Sequence, residues 1–178
     1  MKYREIKARL AGEKVARSGP PGFVLIGVAL LVIVAAALSG AAAYRPTLVV
    51  WDTKTGKELV LGAISEGEAF ELNFIHSVDI LPVQDHFVYK NGELYLMQTK
   101  CLSFGAGLGY MGQGVLREKG KWSEIDNMNR PVGILPLRVG TIADHTIVYK
   151  GNKYHLAKYF VPKSLVRIGV KRKWNFPG

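Results

Sequence analysis

The chain has one cysteine, Cys101, among 178 residues, which excludes an internal disulfide framework and any zinc cluster built on thiolates. Acid is also scarce: 14 Asp and Glu stand against 24 Lys and Arg, a net charge of +10. A second long apolar run is missing, so a multi-span transporter is excluded. After Tyr44 no extended segment repeats with the 3.6-residue period of a helix. With 48% hydrophobic and 21% charged residues, the chain is not a disordered one either.

What is present begins with one uncharged run, Phe23 to Tyr44, rich in Leu, Val, Ile and Ala. As a helix its 22 residues reach roughly 33 Å, enough for a hydrocarbon core of about 30 Å. Residues 1–22 carry six Lys or Arg against Glu5 and Glu13, and basic flanks stay cytoplasmic. The expectation is a cytoplasmic basic segment (1–22), a single-pass anchor in the cell membrane (23–44) and an extracytoplasmic domain (45–178). Ala41-Ala42-Ala43 offers a small-residue cleavage site, so a signal peptide cut before Tyr44 is the rival; the run is longer than a typical signal core. Gly19-Pro20-Pro21-Gly22 suits an abrupt helix start. An outer location argues against a nucleic-acid partner. The cations clustered between Lys163 and Lys173 are then a solvated tail, a contact for lipid headgroups or a match for an acidic partner.

The 134 residues beyond the run read as all-β: a small antiparallel sandwich or barrel of about eight strands. Thr47–Asp52 and Glu58–Leu61 flank Thr55-Gly56. From Glu68 to Val78, Phe70, Leu72, Phe74, His76 and Val78 alternate with polar residues. Val83–Lys90 and Glu93–Thr99 flank Asn91-Gly92, a strong two-residue hairpin signal. Thr146–Lys150 and Lys153–Leu156 flank Gly151-Asn152, and Leu165–Val170 closes the domain. The last two hairpins share an Asp-His start and a Tyr-Lys end; an internal duplication and independent use of good turn residues both fit. Residues 117–133 are polar and break the pattern, which suggests a loop acting as a lid or partner contact.

Three groups of residues could carry chemistry. Five glycines fall between Gly105 and Gly114. Gly107-x-Gly109-x-x-Gly112 matches the dinucleotide fingerprint in letters only: Gly114 interrupts a following helix and no βαβ unit surrounds it, so no nucleotide cofactor is expected. Such a loop serves positive φ and close backbone approach, or presents successive N–H groups to an anion. Among the four histidines, His76 is in phase with an apolar face, which suggests a buried ring bonded to the Ser77 backbone, Asp79 or Asp85. His86 and His145 each follow an Asp, but the spacing shows no metal-ligand pattern, and no metal is expected. Ser77 or Cys101 beside a histidine could serve a hydrolase or transpeptidase, although no nucleophile elbow is present and the sortase-like Thr-Leu-x-Thr-Cys run is replaced by Met97-Gln98-Thr99-Lys100-Cys101.

Phe70 to Val78 with its His-Ser-Val ending, then Pro82-Val83 and Asp85, then Ser103-Phe104-Gly105-Ala106-Gly107-Leu108, resemble the bacterial domain of unknown function 1850 family. Val139-Gly140 through Ile147 and the closing strand near Val166–Val170 extend the resemblance over most of 48–172. Gly109 stands where that family often has Pro. The resemblance carries no catalytic residues. It implies a small membrane-anchored partner of TRAP-type transporters of the TAXI subclass, which import organic acids with an extracytoplasmic receptor. The resulting expectation is an accessory domain that touches the permease or its solute receptor and holds an anionic ligand or partner at the glycine-rich loop. Its candidate residues are His76, Ser77, Asp85, Ser103, Gly105, Gly107 and His145.

Overall fold

The computed structural model describes residues 22–76, 80–102 and 114–174, and the chain divides after Ala42 into two units. In the first, helix α1 (Gly22–Ala43) has apolar side chains all round, and those described, at 24–36, are exposed. Among the described residues no helix is long and apolar enough to cross a membrane. Residues 24–36 alone make about 20 Å of helix against a hydrocarbon core of about 30 Å. The expectation of a membrane-spanning 23–44 therefore rests on the sequence.

The second unit is antiparallel β throughout. Its strands are β1 (Tyr44–Asp52), β2 (Glu58–Ala63), β3 (Ala69–Ile75), β4 (Pro82–Lys90), β5 (Glu93–Cys101) and β6 (Val115–Lys119). They continue with β7 (Trp122–Asp126), β8 (Arg130–Pro131), β9 (Leu135–Arg138), β10 (Thr146–Tyr149), β11 (Asn152–His155) and β12 (Leu165–Trp174). One sheet has the order β2-β1-β12-β9; the other runs β11-β10-β3-β4-β5-β7-β6, with β8 also on β5. Neither order returns to its first strand, so the barrel alternative is corrected: these are two open sheets. The strand number is corrected too, to twelve among the described residues. The additional strands are short or polar and lack the apolar alternation that marks a half-buried strand in a sequence.

The two sheets bury one shared core. Leu48 and Val50 of β1 and Val166 and Ile168 of β12 meet Phe70, Phe87 and Ile147 from the other sheet. Phe70 and Phe87 are opposite in register, with ring centroids 5.1 Å apart and planes 11° from parallel. Such pairs add about 0.5–1.5 kcal/mol beyond area burial. Strand β5 carries a bulge: His86 faces Gln98 while Phe87 faces Leu96, leaving Met97 as the extra residue. The bulge resets the alternation, so Leu94 and Leu96 face inward before it and Thr99 and Cys101 after it.

Both expected tight turns form with φ positive at their two central residues. Asn91 (52°) and Gly92 (83°) link β4 to β5, and Lys150 (49°) and Gly151 (77°) link β10 to β11. The second turn sits one residue earlier than the sequence suggests, because the second central position of this turn type takes the glycine, as at Asn91-Gly92. Lys150 accepts a left-handed backbone while its Nζ reaches Ala63 O at 2.8 Å and Glu68 at 3.2 Å.

Residues 117–133 are not a lid. They form most of the β6–β7 hairpin and the β8 bridge to β5. Their charges satisfy one another across strands: Glu124 takes Lys100 at 3.1 Å and Lys119 at 2.8 Å, and Arg117 lies 3.5 Å from Asp126. Gly114 opens this hairpin at φ 78°, where a Cβ would fall 2.3 Å from Asp126 O, so only glycine fits. That glycine of the cluster is a backbone requirement.

Phe87→Ala should destabilise the full chain by about 3–4 kcal/mol, since it removes a wholly buried ring and its stacked partner's contact. Urea unfolding followed by near-ultraviolet circular dichroism measures this, and a loss under 1 kcal/mol would contradict the shared core.

Candidate functional site: a basic pocket at the end of β3

Three chain segments meet where β3 runs out. The Ile75 N–H donates to Ala143 O at 2.8 Å, tying β3 to the segment before β10. Beyond β9, Val139 N donates to Ser164 O at 3.0 Å and Lys163 N to Val139 O at 2.7 Å, which fastens the residues before β12 alongside. Between them lies a pocket of about 290 Å³, at the small end of ligand sites, which span ~300–1,000 Å³. Phe74, His76, Arg138, Gly140, His145 and Lys163 are among its lining residues, and no carboxylate is among the described ones.

His145 is 8% exposed, and its ring centroid lies 5.5 Å from that of Phe74. The Gly140 N–H donates to its Nδ1 at 3.3 Å, which leaves the ring proton on Nε2. Burial pushes its pKa below the usual histidine value, with neighbouring Asp144 pulling the other way. The ring therefore favours its neutral form at pH 7, and protonating Nδ1 costs the Gly140 bond, a cost that an anion beside the ring would offset. Arg138 is oriented by a 2.9 Å bond from Nη1 to Lys163 O. Gly140 is needed for space: a Cβ there would meet Ala143 Cβ at 2.8 Å and His145 Cε1 at 3.4 Å. Large apolar side chains beside these segments are exposed, Ile80 by 57%, Ile142 by 64% and Val161 by 75%. A guanidinium, an ammonium and two imidazoles with apolar neighbours suit a carboxylate attached to an apolar body.

Of the expected site residues, the structure brings His76 and His145 together. Ser77, Ser103, Gly105 and Gly107 lie outside the described residues. Asp85 is elsewhere, on the inward face of β4, where Thr99 Oγ1 donates to it at 2.8 Å. Burial raises its pKa to about 6, against the opposing pull of Thr99 and Arg130. Arg138 and Gly140 drew no attention as site residues in the sequence, and Lys163 was only one of a run of cations; nothing local sets them apart from surface residues.

The remaining candidates are accounted for by their neighbours. His86 lines a separate polar pocket of about 350 Å³ with Gln98, Arg117 and Asp126. His155 Nδ1 lies 3.0 Å from Thr146 Oγ1 and 3.1 Å from Asp144 Oδ1. A catalytic relay needs its nucleophile and its orienting carboxylate on different ring nitrogens, and here both contact the same one. Cys101 is 0% exposed, turned inward by the Met97 bulge, which gives its thiol no access to a substrate. Among the described residues no group of three His, Cys, Asp or Glu side chains is placed to hold a metal ion.

The family model of the domain of unknown function 1850 (DUF1850) matches residues 70–156. This span is a DUF1850 domain. It contains the β3 end and the β9–β10 connection, hence Phe74, His76, Arg138, Gly140 and His145 of the pocket; Lys163 and the β1, β2 and β12 strands lie outside it. No curated protein and no solved structure matches the chain.

Asp85 gives the DUF1850 domain a pH dependence of known sign. A carboxyl with a raised folded pKa holds its proton more tightly folded than unfolded, so stability falls as pH rises from near 4 to about 6 and is level above. Asp85→Asn keeps an acceptor for Thr99 and should flatten that slope, with a gain of about 2 kcal/mol at pH 7.5. Unfolding midpoints from pH 4 to 8 decide it, and parallel curves for both proteins would be the contrary result.

Proposed function

We propose that this protein is a membrane-anchored, extracytoplasmic β-sandwich domain without catalytic activity that binds a carboxylate-bearing ligand or partner group in the His76–Arg138–His145–Lys163 pocket. The observation that carries the reading is the convergence of these four basic side chains from three chain segments, with no carboxylate among the described lining residues. The glycine-rich loop at 103–113 lies outside the described residues, and the reading here is built on the end of β3. Support for the anchor comes from the uncharged run 23–44, its basic N-terminal flank, and a helix with apolar side chains exposed around it. The accessory role beside a TRAP-type permease or its solute receptor, with an organic acid as the natural cargo, is the associated proposal and rests on what the sequence resemblance implies.

Binding should be linked to protonation. A bound anion favours the charged form of His145, whose pKa in the empty pocket lies below the usual value. Affinity should therefore strengthen as pH falls below about 6.5. Isothermal titration of the detergent-solubilised full chain with succinate at pH 6 and pH 8 is the test. The expected result is at least a threefold tighter Kd at the lower pH, and at least a tenfold loss in Arg138→Ala with Lys163→Ala. No heat at either pH, or affinity indifferent to the double substitution, would refute the pocket. Crosslinking in native membranes tests the transporter association separately, through recovery of a multi-span permease or a solute receptor.

A further inference from the structure

The outermost part of the β1–β12 ladder has a composition unlike the rest of the domain. Beyond the core pair Leu48 and Val170, Pro46 pairs with Arg172, Arg45 with Lys173 and Tyr44 with Trp174. By the alternation of a strand, Tyr44, Pro46, Arg172 and Trp174 continue the core-facing side past the end of the core. Tyr44 is 41% exposed and Trp174 58%, their ring centroids 6.0 Å apart. On the other side, Lys173 and neighbouring Lys171 converge on Glu58, so that one carboxylate is shared between two ammonium groups. The ribbon end is thus two exposed aromatic rings with an excess of cations.

We infer that this ribbon end is a second membrane contact, in which Tyr44 and Trp174 sit at the headgroup level of an anionic bilayer and Arg45, Arg172 and Lys173 face its phosphates. The inference rests on the anchor reading, because Tyr44 follows directly on the uncharged run and so lies where that run would leave the bilayer. What the fold adds is Trp174: it lies 130 positions further along the chain, and register alone carries it to the same place. Tyrosine and tryptophan favour this depth because one end of each ring system is apolar and the other hydrogen-bonds. Lysine and arginine beside them match the negative surface potential of anionic lipids. The exposed rings select a lipid surface over an acidic protein, which would match the cations and leave both rings in water.

The test uses the full chain in vesicles of phosphatidylcholine and phosphatidylglycerol at 3:1, with phosphatidylcholine brominated near the headgroup end of its acyl chains. The chain has three tryptophans, so Trp174→Ala isolates its contribution. Bromolipid should quench a part of the wild-type emission that is absent from Trp174→Ala, and Arg172→Glu with Lys173→Glu should at least halve that part. Equal quenching in wild type and Trp174→Ala, or none in wild type, while the chain resists alkaline carbonate extraction, would overturn the inference and leave the anchor standing. Release by carbonate would overturn the anchor instead. Salt-sensitive co-sedimentation with the same vesicles, lost in the double charge reversal, would then sustain the ribbon, and no co-sedimentation would overturn it as well.

Discussion

The antiparallel pairing of β1 with β12 is the constraint on which the rest of the domain depends. Nine register pairs, from Tyr44 with Trp174 to Asp52 with Val166, join the first strand of the domain to its last. Each such pair closes a loop of more than a hundred residues, whose entropy must be met before any contact inside it helps. Burial offsets that cost: Leu48, Val50, Val166 and Ile168 all come from this ladder and meet the aromatic stack of the other sheet. The ladder also sets out the site. Strand β9 pairs on the free side of β12, which places Arg138 opposite Leu165 and brings Lys163 next to Val139.

Electrostatics then divides the domain into places where charge is cancelled and places where it is not. On the β6–β7 hairpin both carboxylates named above meet cations: buried Glu124 takes Lys100 and Lys119, and Asp126 takes exposed Arg117. At the end of β3, by contrast, Arg138, Lys163 and two histidines face a common space, and the only acid next to them in sequence, Asp144, is directed to His155. Charge is thus cancelled on the hairpin and left in excess in the pocket and at the β1–β12 ribbon end. Asp85 is the opposite case, a carboxyl buried at a cost in stability near neutral pH.

Much of the architecture could be read along the chain because it is written in local rules. The alternation of Phe70, Leu72 and Phe74 marks β3, and Asn91-Gly92 marks the β4–β5 turn, since both depend on a residue and its immediate neighbours. Residues 117–133 misled because a strand held by cross-strand ion pairs is polar on both faces and looks like a loop. The pocket was half legible. His76 stood out by its phase with an apolar face and His145 by following an Asp within the resemblance, whereas Arg138 and Lys163 are surface cations until β9 and β12 are placed side by side.

Cys101 shows the boundary between the two kinds of information most plainly. Its position in a β-rich run follows from the sequence, but its direction does not: Met97 adds one residue to β5, and every side chain after it changes face. By itself the sequence determined the uncharged helix, the β class of the domain, the hairpin turns and the net positive charge, because each depends on composition or on spacings of a few residues. Only the tertiary structure decided that the sheets stay open, that the thiol is inside, that a guanidinium, an ammonium and two imidazoles share one pocket and that Trp174 lies beside Tyr44. Those outcomes depend on pairings between residues far apart in the chain, and no local pattern encodes which distant strand a given strand will meet.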